Sequence, residues 1–424
     1  MTRLPNTLFT CLILALILTS QYSHAGEMRL QDLIDEALRN SPEILASEAR
    51  SEAARHKVPQ AGSLPDPMFM FGYQNEGWDR YTYGRMEGAQ WMFSASQMFP
   101  FPGKLSIREE MARKEAEASS EMFGTVRLKT IERISGLYFD LFLAYKIIDL
   151  LRAKLSLFER TEAAAIARYS SGMGVQQDVL MVQTEKYMLF EREEMQQQKI
   201  SALEGMLNAA AGRKVNELLG RPEEQATASS DIDLDHLIAK AYEHSPEIRA
   251  REKMISAAEA KLRMAEREYY PDFTLTANYY SRGGGQFQDM WSLTSAINIP
   301  LYYRTKQREA VLEAEASLSE AKRELDSAKL MTASAMRENY SMFRSSGRLM
   351  ELYRNGLVPR TEQDFESALS GYSAGRSDAM TVISRLRAVV ESEISYWVQY
   401  AEYNKSSVRF HALSGSVSLM GGNK

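Results

Sequence analysis

The 424-residue chain is 44% apolar and 25% charged, with a formal net charge of −5 and a mean hydropathy of −0.36. That apolar content excludes a disordered chain, a single cysteine excludes a disulfide scaffold, and the acidic balance lacks the basic stripe of a nucleic-acid binder. No internal run reaches the roughly 20 apolar residues of a spanning helix, which excludes a helical membrane transporter.

Residues 1–25 read as a secretory leader. Arg3 supplies the positive start, Leu8 to Leu18 the apolar run, and Ser23 and Ala25 the small residues of a cleavage site. Cys11 lies inside the apolar run with Thr10 before it, an order that does not fit a lipidation signal. Cleavage after Ala25 leaves a mature chain without cysteine.

The mature chain is written twice. Leu30–Ile44 matches Leu234–Ile248, both ending in Ser-Pro-Glu-Ile. Glu115–Ala118 matches Glu313–Ala316, and Tyr169–Gly172 matches Tyr372–Gly375. Three landmarks in one order divide the chain into a first repeat, 26–221, and a second, 222–424. Each repeat begins with a short amphipathic helix ended at Ser41-Pro42 or Ser245-Pro246. Proline cannot continue the first helix but suits the first turn of the next.

Strand-like stretches follow, near 67–75 and 89–99 in the first repeat and near 272–281 and 290–299 in the second. Phe273, Leu275, Ala277 and Tyr279 alternate with Thr274, Thr276 and Asn278. Trp291, Leu293 and Ile297 alternate with Ser292, Thr294 and Asn298. Phe69, Phe71 and Tyr73, and then Trp91 and Phe93, set one face of the earlier pair. Each stretch approaches the length of a tilted membrane strand, with aromatics at its ends. A half-buried hairpin on soluble helices would alternate in the same way. Export shifts the balance toward the membrane reading, which carries a condition of its own. Four strands cannot close a barrel, and an open edge is not viable in lipid, so membrane strands require several chains.

Very long helices come last in each repeat. No proline falls between Pro102 and Pro222, and Lys104 to Tyr169 is rich in strong helix formers. Some 65 residues would give about 100 Å of helix. The second copy runs from about Arg304 to Tyr372, with Pro359 expected to kink it. Helices of this length pack side by side as coiled coil or tube. Alanine dominates the apolar positions of Met111–Ser120 and Ala310–Ala321, which suits close approach in a tunnel and ordinary coiled-coil packing equally.

These residues resemble the TolC family of outer-membrane efflux ducts over nearly the whole mature chain. The motifs are Leu64-Pro65-Asp66-Pro67 before the first strand, Gln97–Leu105 after the second, Leu207–Arg213, and the turns Arg168–Leu180 and Tyr372–Ile383. Pro100-Phe101-Pro102-Gly103-Lys104 and the Gly356–Glu362 run are more similar to the heavy-metal, CzcC- and CusC-like branch. The resemblance implies a mainly α protomer with four strands. Three protomers would form a 12-stranded β-barrel continued by a helical tunnel, in the outer membrane of a Gram-negative bacterium and extending into the periplasm. It further implies a homotrimer in outer-membrane lipid, a periplasmic adaptor and an inner-membrane resistance-nodulation-division pump. The chain would be a passive duct, possessing no cofactor and no enzymatic site.

In this family the helical tips carry the gate. Position by position, the resemblance places gate residues at Asp178 in the first repeat and at Asp378, Thr381 and Ser384 in the second. Arg168, Tyr169, Gly172, Val179, Leu180, Tyr372, Gly375 and Arg376 fall on tips that would meet the adaptor. Threefold symmetry would turn Asp178 into a ring of three carboxylates favouring cations. The same residue could serve as a helix N-cap. The five histidines are scattered, only His236 and His244 lying near each other, and the 23 methionines mostly fall at packing positions. No paired carboxylates or activated nucleophile stand out. A soluble periplasmic coiled-coil scaffold or adaptor is the alternative reading.

Overall fold

A computed structural model describes residues 28–225, 233–283 and 285–415; the expected leader lies outside them. The chain divides into two compact units, each drawing on both repeats. Unit 1 comprises Met1–Leu45, Val126–His244 and Thr332–Lys424, and unit 2 comprises Ala46–Thr125 and Ser245–Met331.

The elements run α1 (Leu30–Asn40), α2 (Pro42–Gly62), β1 (Met68–Gln74), β2 (Gln90–Phe99), α3 (Lys104–Ser170) and α4 (Gln176–Ala211). The second repeat gives α5 (Leu234–His244), α6 (Pro246–Arg267), β3 (Phe273–Ser281), β4 (Met290–Ile297), α7 (Gln307–Leu352), α8 (Val358–Ser373) and α9 (Ala379–Leu413). The stretch from Lys104 that is rich in helix formers is indeed one helix of 67 residues, ending at Ser170. At Pro359 the second copy is interrupted by a π turn, Tyr353–Leu357, in which Val358 donates its N–H to the Tyr353 carbonyl. Proline lacks an N–H and crowds the carbonyl four residues back, so the wider turn relieves the clash while the backbone stays helical.

Unit 2 contains a four-stranded antiparallel meander in the order β1-β2-β3-β4. Its registers align Phe71, Phe93, Tyr279 and Trp291 in one row across all four strands. These side chains are exposed, Phe71 and Trp291 each at 78%. The next row on that face, Phe69, Ala95, Ala277 and Leu293, is also apolar. The other face carries Ser94, Ser96, Thr276, Asn278, Ser292 and Thr294, with Met68 and Met70 on the edge strand. β1 and β4 are each paired on one side only. β4 ends two residues short of the expected Ile299. There Asn298 turns to Asp272, its amide donating to the Asp272 carbonyl at 3.2 Å. No helix among the described residues is long and apolar enough to cross a membrane.

Unit 1 is helical around a large apolar core, with a smaller cluster of Phe343, Tyr403 and Phe410 beside it. α1 buries Leu30, Leu33, Ile34 and Ala37, a helical i, i+3, i+4, i+7 stripe. It joins Tyr138 and Phe139 of α3, Leu203 and Leu207 of α4, Phe365 and Leu369 of α8, and Val382 and Leu386 of α9. Buried tyrosine in a core needs a partner for its hydroxyl. The single Tyr138 hydroxyl proton is shared between the carbonyls of Met28 at 3.0 Å and Glu223 at 2.8 Å, and Tyr400 donates to the Gln225 carbonyl. Two tyrosines thereby fasten the segment that follows α4.

Candidate functional site

The two helical turns of unit 1 share one backbone geometry. After α3, Gly172 takes φ +76°, its N–H donates to the Tyr169 carbonyl at 3.0 Å, and Met173 N–H donates to the Arg168 carbonyl at 2.9 Å. After α8, Gly375 also takes φ +76°, with Gly375 N–H to Tyr372 at 3.0 Å and Arg376 N–H to Gly371 at 2.7 Å. This paired 5→2 and 6→1 bonding is a Schellman stop, and it needs a residue at ease in the left-handed region.

Side chains break that equivalence. Tyr169 is 49% exposed, whereas Tyr372 is 1% exposed, within the core. The Tyr372 hydroxyl donates to Asp178 Oδ2 at 2.9 Å. Arg168 lies over the Tyr372 ring, 4.6 Å from its centre. Its guanidinium donates to the Tyr372 carbonyl and, at 2.9 Å, to the Met173 carbonyl. Burial, and then the Asp178 carboxylate, push the Tyr372 hydroxyl up to about 12. The phenol therefore stays a proton donor throughout the physiological range. Asp178, Tyr372 and Arg168 form one tie between the first and second turns.

The other candidates are distributed around this tie. Val175, not Asp178, stands at the N-cap of α4, so the capping reading of Asp178 is replaced by the bond to Tyr372. The capping role belongs to Asp378, whose Oδ1 accepts the Thr381 N–H at 2.7 Å. That backbone donor, with the Thr381 hydroxyl, holds the Asp378 carboxyl below its ordinary range. Ser384 donates its hydroxyl to the Thr381 carbonyl at 2.8 Å and is exposed. Leu180 and Arg376 are exposed, and Val179 is half-buried against the core. Tyr372, expected on an accessible tip, instead faces inward.

Sequence reading missed three features here. Exposed Met173 (71%) and Val175 (59%) make the first turn apolar at its surface. Glu185 of α4 binds Arg387 of α9 through two guanidinium nitrogens, and Lys154 of α3 lies between Glu362 and Glu393. Opposite charges about 202 or more residues apart in sequence carry no local signature. Among the described residues no group of three or more His, Cys, Asp or Glu side chains could hold a metal ion.

Residues 33–211 and 237–415 each match the family model described as outer membrane efflux protein. A similar curated protein is the pyoverdine export outer membrane protein OpmQ of Pseudomonas putida, 22% identical over 91% of this chain and 86% of that protein. The probable outer membrane lipoprotein SilC of Salmonella typhimurium is 24% identical over 64% of this chain and 60% of its own length. Among solved structures, the outer membrane protein VceC of Vibrio cholerae aligns with a TM-score of 0.76 at 19% identity, covering 92% of this chain and 97% of that one.

Proposed function

The chain belongs to the outer membrane efflux protein family, and from that premise we propose that three copies assemble into one duct through the outer membrane and periplasm. The protein is an outer-membrane efflux channel. The observation that carries the assembly is the sheet of unit 2, which bears an exposed aromatic face and two unpaired edges. An apolar face of this kind is stable against lipid, and four strands become edgeless only by pooling with other copies. Three copies give 12 strands, with the serine and threonine face lining the lumen. The family is one of channel proteins, so the soluble scaffold reading is set aside. Membrane fractionation tests the assembly: a carbonate-resistant, detergent-extracted trimer is expected, and a monomer in the soluble fraction would overturn it.

The tie at the helical turns serves as the latch of a periplasmic gate. Asp178 supplies the charge and Tyr372 holds it in place. Asp378, Thr381 and Ser384 line the same constriction from the second repeat. Exposed Tyr169, Met173, Val175 and Leu180 supply the contact surface for the helical hairpin of a periplasmic adaptor, which links the duct to a resistance-nodulation-division pump. Asp178→Ala is expected to weaken cation selectivity in planar bilayers, seen as a reversal potential moving toward zero under a salt gradient. An unmoved reversal potential would remove Asp178 from the ion path.

We place the cargo with the pump rather than with this chain. The Pro100–Lys104 motif that suggested the heavy-metal branch has a structural occupation: Lys104 is fully buried, with Asp272 at 2.9 Å. A susceptibility panel on a deletion strain tests the metal reading. Hypersensitivity to copper, zinc, cobalt or cadmium supports it, and hypersensitivity confined to drugs and dyes overturns it.

A further inference from the structure

The two hairpins of unit 2 are interchangeable in register. Met68 pairs with Ser96 in the first, and Thr274 pairs with Ala296 in the second. Tyr73 faces Trp91, as Tyr279 faces Trp291. This superposes Asp66 on Asp272, each preceded by proline at the entry to a strand, and Lys104 on Arg304, each four residues beyond the proline that follows a strand.

Inside the chain, the exit of β2 and the entry of β3 are joined by a buried ion pair. Lys104 Nζ lies 2.9 Å from Asp272 and 3.3 Å from Glu268, and donates to the Tyr270 carbonyl at 3.0 Å. Asp272 also accepts the Phe101 N–H at 2.7 Å. The corresponding groups at the outer edges have no such partner. Among the described residues neither makes an ion pair: Asp66 is exposed, and Arg304 is exposed with its guanidinium near the Tyr303 side chain. β1, which follows Asp66, and β4, which precedes Arg304, are the two open edges.

We infer that Arg304 of one copy binds Asp66 of the next, repeating across the copies the clasp that Lys104 and Asp272 make within one. The occupant of each open edge is thus a second copy of this chain. The same superposition sets the register: the β2–β3 pairs Ser94 with Asn278 and Phe93 with Tyr279 become Thr294 with Gly72 and Leu293 with Tyr73 of the next copy. Charge complementarity supports it, acid at one edge and base at the other, so each copy offers both halves of a head-to-tail contact, the type of interface from which closed rings are built. The second junction departs from the first in two respects: Gly62 superposes on Glu268, so Asp66 is the one acid offered, and the backbone differs at the start of the helix. α3 starts at Lys104 itself, whereas residues 301–306 form turns before α7, leaving Arg304 on a turn from which its longer side chain spans to the neighbour. The inference rests on the trimer reading above.

The test uses the full-length protein in outer membranes, where Cys11 lies in the expected leader and engineered cysteines stand alone. Thr294→Cys with Gly72→Cys is expected to give a covalent trimer on non-reducing gels after oxidation. Thr294→Cys with Met68→Cys, four residues out of register, is expected to give none, and the opposite pattern would overturn the register. Asp66→Arg and Arg304→Asp are each expected to lower the detergent-resistant trimer by roughly tenfold or more, since each leaves like charges facing. The double reversal restores the pair and the trimer. Lys306→Asp is expected to leave the trimer intact. Failure of the double reversal to restore it, or a loss matched by Lys306→Asp, would overturn the clasp. A wild-type protein that extracts as a monomer would instead bring down the channel assembly itself, and with it this contact.

Discussion

Tyr372→Phe is expected to raise the single-channel conductance of the reconstituted protein without moving its reversal potential. The ring keeps its place in the core of unit 1, since phenylalanine fills the same volume, and only the hydroxyl on Asp178 is lost. A hydrogen bond to a charged group contributes about 1.5–3 kcal/mol. Loss of that much shifts a closed-to-open ratio by roughly ten- to a hundredfold in each protomer. Asp178→Ala breaks the same bond and removes the carboxylate, so it should raise conductance and also shift selectivity. The pair of variants separates holding from charge. Equal conductance for Tyr372→Phe and wild type would show that the tie is not what keeps the passage narrow.

Gly212→Ala is expected to abolish folded protein, for two reasons that add. Gly212 closes α4 at φ +80° and donates to the Ala209 carbonyl at 3.2 Å. An L-residue there costs about 1–2 kcal/mol. The added methyl would also stand 2.2 Å from the Asn40 carbonyl oxygen, a backbone atom at the end of α1. Backbone cannot swing aside as a side chain can, so α1 must move away from α4. The adjacent bidentate pair of Arg213 with Glu36 would open with it. Together these place the cost above about 4 kcal/mol, in the range that unfolds marginal domains. Gly172→Ala separates the two causes. It shares the left-handed backbone at φ +76° but has open space around it, so it should cost about 1–2 kcal/mol alone. Gly136→Ala, inside α3 with nothing near, should be neutral or stabilising. Thermal melts of the three variants rank them. A Gly212→Ala protein melting with Gly172→Ala would show that α1 yields easily.

The sequence carried the elements because their signals are local. Alternation of Phe273 to Tyr279 against Thr274 to Asn278 has the period of a strand, and it set face as well as position. The absence of proline from Lys104 onward permitted one uninterrupted helix. What stayed hidden depends on which distant residue arrives. Tyr169 and Tyr372 occupy the same place in the same turn, yet one meets solvent and the other meets Asp178 and Arg168 from the first repeat. Nothing near either tyrosine encodes that difference. Lys104 is similar: its motif reads as a family mark, and its burial becomes intelligible only when Asp272 and Glu268 arrive from the second repeat. Pro359 marked the site of a disturbance, but proline alone does not say whether the helix breaks, bends or widens.

The aromatic face of the sheet bears on the life of the chain before it reaches its place. A protomer crossing water exposes Phe71, Trp291 and their row, together with two rows of unsatisfied edge groups. Such a surface adheres to any similar strand, so a lone chain is an aggregation hazard until it meets lipid and its own kind. A factor that shields aromatic side chains in transit would lower that hazard. Completing the three-copy barrel proposed above would need three chains at one spot, so its rate would climb steeply with their local density. Overproduction should therefore yield precipitate rather than more channel.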